Sequence, residues 1–218
     1  ELKELLTDAE YKAARRSTQD AHYTSPVVIG GIYRALKHIG VQGGRILEPS
    51  TGVGHFLGLM PPEMKNSKIT GVELDLITGK IAKHLYPQAD IHAGVGFQEV
   101  ALPPDYFDVV IGNPPFGNQK LFDAANPEIS QFSIHNYFFA KSITSLRPGG
   151  VLGMVVSNFM LDKMGGKERA WMAERVNFLG AIRLPNTAFK QTAGTEVTAD
   201  IVFLQKRPDD APNTGQDW

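Results

Sequence analysis

The chain of 218 residues contains no cysteine. This absence excludes disulfide bonds, thiolate ligands for a metal ion and a thiol nucleophile. The six histidines form no HxH or HExxH pair, so the sequence predicts no metal site. A GxxxxGK[ST] pattern is also missing, which argues against a phosphate cradle.

A surplus of charge and long apolar runs are missing as well. The chain has 22 basic and 23 acidic residues, a formal net charge of −1. That is not the basic surplus of a self-sufficient DNA-binding domain. No apolar run approaches the ~20 residues that span a bilayer, and the acidic, amphipathic N-terminus is unlike a signal peptide. We expect a cytoplasmic protein and, because the sequence begins with Glu1, a segment of a longer polypeptide.

Strand-like and helix-like segments alternate along the chain. Strands are predicted at 45–48, 68–73, 89–92, 107–111, 151–156, 178–184 and 197–205, and helices at 26–39, 55–60, 77–85, 135–146 and 167–176. Residues 117–133 and 157–166 are expected to be irregular, and residues 147–150 to end a helix. The alternation predicts an α/β fold, with a parallel sheet covered by helices on both faces.

The most informative segment is YFDVVIGNPPFG at 106–117. Its apolar, β-branched run predicts a buried strand that ends at Gly112. Pro114 and Pro115 fix two φ angles, remove two N–H donors and favour extended geometry before them. The strand end should therefore present the Asn113 amide, bare carbonyls and the Phe116 ring. Such a platform suits the alkylation of a flat exocyclic amine.

A glycine turn and an acid point to a nucleoside. Gly52 and Gly54 follow the first strand and permit a tight turn at the ligand-binding edge of an α/β sheet. The third glycine of a dinucleotide motif is replaced by Leu57. Glu73 ends the second strand and is placed to bind a ribose diol. Each signal alone also fits a plain turn or a solvated acid, and together they favour a nucleoside without a pyrophosphate.

These motifs resemble the class I S-adenosylmethionine-dependent methyltransferases, specifically the N6-adenine DNA methyltransferases of gamma-type motif order. The matching segments are HYTSP (22–26), EPSTGVGHF (48–56), GVELD (71–75), NPPF (113–116), LRPGGVLGMVVSN (146–158) and the distal strands. The resemblance covers about residues 20–206. It implies a Rossmann-like, mostly parallel seven-stranded sheet with an antiparallel last strand. Residues 1–20 are then an N-terminal helix, 21–207 the methyltransferase catalytic domain and 208–218 a linker-like tail.

The resemblance also implies S-adenosylmethionine as the cofactor and assigns site residues. Tyr23 and Thr24 would line the methionine end of the cofactor, Glu73 would bind its ribose and Phe97 would stack on its adenine. The catalytic residues are Asn113, Pro114, Pro115 and Phe116. The cofactor-binding residues are Tyr23, Thr24, Glu48, Pro49, Gly52, Gly54, Glu73, Leu74, Phe97 and Asn113.

The implied reaction is methyl transfer to the N6 amine of adenine in DNA. The amine would donate hydrogen bonds to the Asn113 side-chain oxygen and the Pro114 carbonyl, which localises its lone pair. Phe116 would stack on the base, which must be flipped from a duplex or be single-stranded. The loop at 117–133 would close over the pocket. Lys120 and residues 163–169 are candidate phosphate contacts.

Two departures from the family pattern leave alternatives open. Gly96 stands where the family often has an acid before Phe97, so Asp90 or a backbone group must bind the cofactor's adenine amine. No recognition domain follows, so DNA binding is expected to need a separate recognition module or the rest of a larger polypeptide. The absence of cysteine excludes methylation at C5 of cytosine. An RNA base or a protein glutamine are alternative targets, and a non-enzymatic module of a helicase- or restriction-related protein is a second reading.

Overall fold

The structure is a computed structural model of the chain. It describes residues 4, 7, 8, 11, 24–162, 166–186, 188, 198–209 and 211–212. The helix expected within residues 1–20 falls almost entirely outside this set, as do Tyr23 and most of the expected tail. The first complete element is a helix that begins at Pro26, directly after Ser25, whose hydroxyl accepts a hydrogen bond from the Val28 amide at 3.4 Å.

Helices and strands alternate as the pattern predicts. The helices are α1 (Pro26–His38), α2 (His55–Gly58), α3 (Leu76–Leu85), α4 (Ile134–Ser145), α5 (Phe159–Asp162) and α6 (Lys167–Ala173). The strands are β1 (Arg45–Glu48), β2 (Lys68–Glu73), β3 (Asp90–Ala93), β4 (Phe107–Gly112), β5 (Leu146–Ser157), β6 (Val176–Arg183) and β7 (Ala199–Lys206). In the part of the chain that the structure describes, no helix has the length and apolarity needed to cross a bilayer.

The strands form one seven-stranded sheet in the order β3-β2-β1-β4-β5-β7-β6. Pairing is parallel from β3 through β5, and β7 runs antiparallel to both of its neighbours. This topology confirms the predicted α/β class with an antiparallel last strand. Because β1 lies between β2 and β4, the carboxyl ends of these three strands meet at one edge of the sheet.

The central strands are buried on both faces, which explains their unbroken apolar sequences. In β1, Ile46 packs on one face with Val109, Ile111 and the apolar side of α1. Leu47 points to the other face, where Val110, Leu152 and α4 form the second half of the core. Packing in the two halves of the core fixes where each strand ends, and therefore where the loop that follows it begins.

The largest departure from prediction concerns residues 146–150. Leu146 was expected to be the last helical residue and residues 147–150 to end the helix, but all five open β5 and its pairing with β4. Leu146 pairs with Phe107, and the register then shifts before Val151 pairs with Val109. Gly149, with a φ of 76°, lies within this irregular stretch. Residues 159–162, expected to be irregular, form the short helix α5.

Candidate active site

The glycine turn after β1 is built from two left-handed residues with different surroundings. Gly52 has a φ of 57° and Gly54 a φ of 86°. A Cβ added at Gly54 would overlap the ring of Tyr86, whereas one added at Gly52 would meet no atom within 4 Å. Gly54 therefore allows the Tyr86 ring to pack against the backbone of the turn, whereas Gly52 borders open space at the carboxyl ends of the strands.

Glu73 closes the other side of this open space. Its Oε2 accepts a hydrogen bond from the Gly52 amide and its Oε1 one from the Asp75 amide, both at 2.8 Å. The Asp75 side chain in turn caps α3 by accepting from the Thr78 amide at 2.7 Å. Burial raises the pKa of Glu73, although the backbone donors oppose the shift. Each carboxylate oxygen keeps a further lone pair for a ligand hydroxyl.

Glu48 lies at the end of β1 and is 1% exposed. Its Oε2 has no hydrogen-bond partner among the described residues. Burial, together with the charge of Glu73, raises the pKa of Glu48 well above its ordinary value. A buried polar atom without a partner costs about 1–3 kcal/mol, so this carboxyl is suited to a group that arrives with a ligand.

The Asn113–Phe116 platform is attached to the glycine turn. Gly112 ends β4 with a φ of 150°, and its Cα face lies against Glu48 and Pro49. The Ser50 hydroxyl donates a hydrogen bond to the Asn113 carbonyl at 3.0 Å. The Asn113 Oδ1 atom is shielded from solvent. The Ser50 bond links the turn after β1 directly to the platform after β4.

The Phe116 ring stands on a column of rings that leads into the core. Phe116 is half-buried and meets His135 edge-to-face, with ring centroids 5.4 Å apart at 61°. His135 stacks on Phe139, one helical turn later in α4, at 5.6 Å and 23°. His135 is 7% exposed and Phe139 is fully buried. The support of Phe116 is therefore a fixed part of α4.

His135 itself is an unusual core residue. Neither of its ring nitrogens has a hydrogen-bond partner among the described residues, and both are shielded from solvent. Burial lowers the pKa of His135 to about 4, so the imidazole is neutral at pH 7. A neutral imidazole carries one N–H donor and one acceptor, and both are unused here.

The segment between the platform and α4 is anchored at its middle. Asp123, 2% exposed, accepts hydrogen bonds from the Tyr137 hydroxyl at 2.5 Å and the Lys141 ammonium at 3.1 Å. Burial alone would raise the pKa of Asp123, but bonds from Tyr137, Asn126 and Lys141 bring it down to about 2. The loop expected to close over the pocket is thus tied to α4 in this conformation.

Other predicted residues take varied positions. Thr24 is buried just before α1, Pro49 is buried in the turn and Leu74 is 71% exposed beside Glu73. Phe97 is 2% exposed, and its ring packs on Phe138 with centroids 4.8 Å apart. An adenine stacked on Phe97 would have to displace a packed neighbour, whereas Leu74 offers an exposed apolar surface next to Glu73.

Among the described residues, the predicted polar contacts, Asp90 for the cofactor and Lys120 and Arg169 for phosphates, also lie in different parts of the molecule. Asp90 opens β3, while Ala93 at the other end of that strand pairs with Glu73. Asp90 therefore lies away from the edge where the cofactor was predicted, and this leaves a backbone group as the candidate for the adenine amine. Lys120 is exposed and Arg169 donates to the Met160 and Leu161 carbonyls, whereas Lys163 lies outside the described residues. The described residues contain no cluster of three side chains that could hold a metal ion.

The sequence interpretation missed His135 and the group around Asp123. A lone histidine in the run IHNYFFAK resembles any helix that packs on a core, and no spacing rule links it to Phe116. Asp123 lies in a polar stretch that reads as a loop. The single available signal was Lys141, the one Lys, Arg, Asp or Glu in the sequence of α4, because such a residue needs a partner wherever it is buried.

Comparisons with known proteins identify relatives in sequence and in fold. The sequence pattern of the Eco57I restriction-modification methylase family matches residues 63–189. A curated relative, the "defense against restriction protein B" of Escherichia phage P1, is 30% identical over 193 residues. That match covers 86% of this chain, which spans only 8% of the length of the phage protein.

Solved structures show the same fold. A Listeria monocytogenes protein described as a class I S-adenosylmethionine-dependent methyltransferase has a TM-score of 0.71 at 20% identity, over 88% of this chain and 62% of its own. A Vibrio vulnificus protein described as the modification subunit of a type I restriction enzyme has a TM-score of 0.69 at 19% identity. That match covers 90% of this chain and 48% of the Vibrio protein. Both likenesses confirm the predicted Rossmann-like sheet.

Proposed function

Because the chain belongs to the Eco57I restriction-modification methylase family, we propose that it transfers a methyl group from S-adenosylmethionine to the N6 amine of adenine in DNA. The observation that carries this proposal is the attachment of Asn113-Pro114-Pro115-Phe116 to the glycine turn. The Ser50–Asn113 hydrogen bond links the proposed amine-binding platform to the proposed nucleoside-binding turn. Methyl transfer needs these two sites at a fixed separation.

The proposed cofactor side of the site combines hydrogen-bond acceptors with an apolar surface, which suits S-adenosylmethionine. Glu73 keeps lone pairs for the ribose diol, and Leu74 offers an apolar surface for the adenine. The open space beside Gly52 would accommodate part of the ligand, and the buried Glu48 carboxyl would accept a hydrogen bond from it. Tyr23, Thr24, Pro49, Gly54 and Phe97 remain proposed neighbours of the cofactor. When bound, S-adenosylmethionine supplies an electrophilic methyl group on a sulfonium.

The platform would prepare the nitrogen for attack. The lone pair of an adenine N6 is delocalised into the ring, which makes the amine a poor nucleophile. Hydrogen bonds from its two N–H groups to Asn113 Oδ1 and the Pro114 carbonyl would pyramidalise the nitrogen and aim its lone pair at the methyl group. The amine nitrogen would form the new N–C bond as the S–C bond of the cofactor is broken, and it would then release one proton. Pro115 stiffens the segment and Phe116 stacks on the base.

DNA recognition would depend on more than residues 21–207, the proposed catalytic domain. The near-neutral charge gives weak attraction to phosphates, and Lys120 is the exposed cation nearest in sequence to the platform. A separate recognition module would therefore present the adenine, flipped out of a duplex or in a single strand. The relative from phage P1 is more than ten times longer than the matched segment, which leaves room for such modules in that protein.

The test is a methyl-transfer assay with labelled S-adenosylmethionine and three separate acceptors: unmethylated DNA, RNA and protein. We expect label in DNA, and N6-methyladenine as the modified nucleoside in the digested product. Label only in RNA or protein would contradict the proposal, as would methylation of cytosine. The Asn113→Ala variant serves as the control for a contaminating activity.

A further inference from the structure

The imidazole of His135 lies next to Phe116, and its two nitrogen atoms form no hydrogen bond, within the part of the chain that the structure describes, that would stabilise the fold. Its two ring nitrogens have no partner among the described residues, although the ring is more than nine-tenths buried. An apolar side chain of similar volume at this position would keep the packing on Phe139 and leave no polar atom unsatisfied. The fold therefore gains nothing from the nitrogens.

The position of His135 relative to Phe116 suggests what they are for. Phe116 covers His135 edge-to-face, and it is the half-buried outer member of the column that ends at Phe139. Phe116 also belongs to a segment outside the strands and helices, so its ring can turn without breaking a backbone ladder. Side-chain rotations of this size are common when a ligand binds.

We propose that a ring nitrogen of His135 forms a hydrogen bond with the target nucleotide once the base lies against Phe116, which makes His135 a substrate-binding residue. The proposal rests on the proposed DNA methyl transfer. A base whose amine is held by Asn113 and Pro114 still has unsatisfied ring nitrogens, which accept hydrogen bonds. A neutral imidazole can supply the donor, and its second nitrogen can accept.

The burial of the imidazole gives this contact its selectivity. Because the nitrogens are shielded when no base is bound, water does not compete for them, and a ligand without a matching atom would leave them unsatisfied. His135 would therefore favour a purine with an acceptor next to its amine over a flat amine such as a glutamine side chain. This would add a second recognition element to the Asn113 platform.

The test compares two substitutions of similar volume in the intact protein, His135→Leu and His135→Gln. Leucine removes the polar atoms, so we expect the Tm to rise by about 2–4 °C while kcat/KM for unmethylated DNA falls about tenfold or more. Glutamine keeps a donor and an acceptor, so it should retain most of the kcat/KM despite a lower Tm. The Kd for S-adenosylmethionine, measured by calorimetry, should be unchanged in both.

The matched control is Ile143→Val, a fully buried position of α4 that lies two turns after His135 and outside the column of rings. It should lower the Tm while leaving kcat/KM per folded molecule unchanged, because it lies about 12 Å further along the helix axis than His135. The proposal is overturned if His135→Leu methylates DNA as well as wild type, or if His135→Gln is folded and as impaired as His135→Leu. A wild-type protein that transfers no methyl group to DNA would instead refute the proposed function.

Discussion

Asp108 and Glu48 lie on neighbouring strands of one sheet, yet their carboxyl groups meet opposite surroundings. Asp108, near the start of β4, accepts hydrogen bonds from the Arg45 amide at 2.7 Å, Arg45 Nε at 3.0 Å and Arg147 Nε at 2.6 Å. Glu48, at the end of β1, has an oxygen with no partner among the described residues. One acid completes a network within the protein, and the other remains available.

The pKa shifts of the two acids have opposite signs. Burial would raise the pKa of Asp108, but the bonds from Arg45 and Arg147 lower it well below the ordinary range. Burial and the charge of Glu73 raise the pKa of Glu48. At the end of the sheet where β1 and β4 begin, which we call the amino edge, the Asp108 carboxyl stabilises the fold. At the opposite end, the carboxyl edge, Glu48 costs stability and leaves a polar group available to a ligand.

The largest effect is expected from Asn113→Ala, which changes the carboxyl edge alone. Turnover should fall at least about 100-fold, because one of the two acceptors for the amine is lost. The Kd for S-adenosylmethionine should stay within a few-fold of wild type, because Glu73 and the glycine turn are intact. Single-turnover methyl transfer and calorimetry measure the two quantities. Unchanged turnover would remove Asn113 from the reaction.

Asp108→Asn tests the amino edge. The neutral amide cannot balance Arg45 and Arg147, so the free energy of unfolding should fall by about 1–3 kcal/mol, with part of the loss screened by solvent at the half-exposed Arg147. Urea denaturation measures the change. Glu63→Gln, which removes an exposed ion pair with Lys37, is the control and should have no measurable effect. A loss of cofactor affinity in Asp108→Asn would contradict the assignment of Asp108 to stability alone.

Glu48→Gln should have the smallest effect on stability and the opposite sign, a gain of about 1 kcal/mol at neutral pH. A raised pKa means that the folded protein holds the Glu48 proton at a pH where the unfolded chain has released it. Wild-type stability should therefore fall as pH rises above the ordinary value of 4.5 towards the raised pKa of Glu48. The variant should show a flatter profile in denaturation from pH 5 to 8. Identical profiles would mean that Glu48 does not titrate in this range.

The sequence predicted the fold well where local and tertiary signals agree. The bounds of β1 and β2 follow from apolar runs that end in Glu48-Pro49 and Glu73, and the structure has the same bounds. The prediction for residues 146–150 was wrong. Arg147-Pro148-Gly149-Gly150 is a strong local signal for the end of a helix, but the pairing of Leu146 with Phe107 makes this segment part of a strand. Only the neighbouring strand decides that register.

The site was predictable to the extent that its residues come from short motifs. Asn113, Gly52 and Glu73 follow strand ends, and the parallel sheet brings such ends together. The stacking role predicted for Phe97 stays a prediction, because its ring is packed inside the core. His135 and Asp123 are separated from their partners by about one loop or one helix. Contacts of that kind depend on how α4 packs, which no local pattern encodes.

The anchor at Asp123 divides the segment after Phe116 into two compartments. The Asp123 amide donates to Ser130 Oγ at 2.8 Å, and that hydroxyl donates back to the Asp123 carbonyl at 3.0 Å, which closes residues 123–130 into a small ring. Residues 117–122 lie between this ring and the platform. Insertions or exchanges inside the ring would leave the spacing from Phe116 to α4 unaltered. We therefore expect residues 124–129 to tolerate changes in length and sequence without disturbing the Asn113–Phe116 platform.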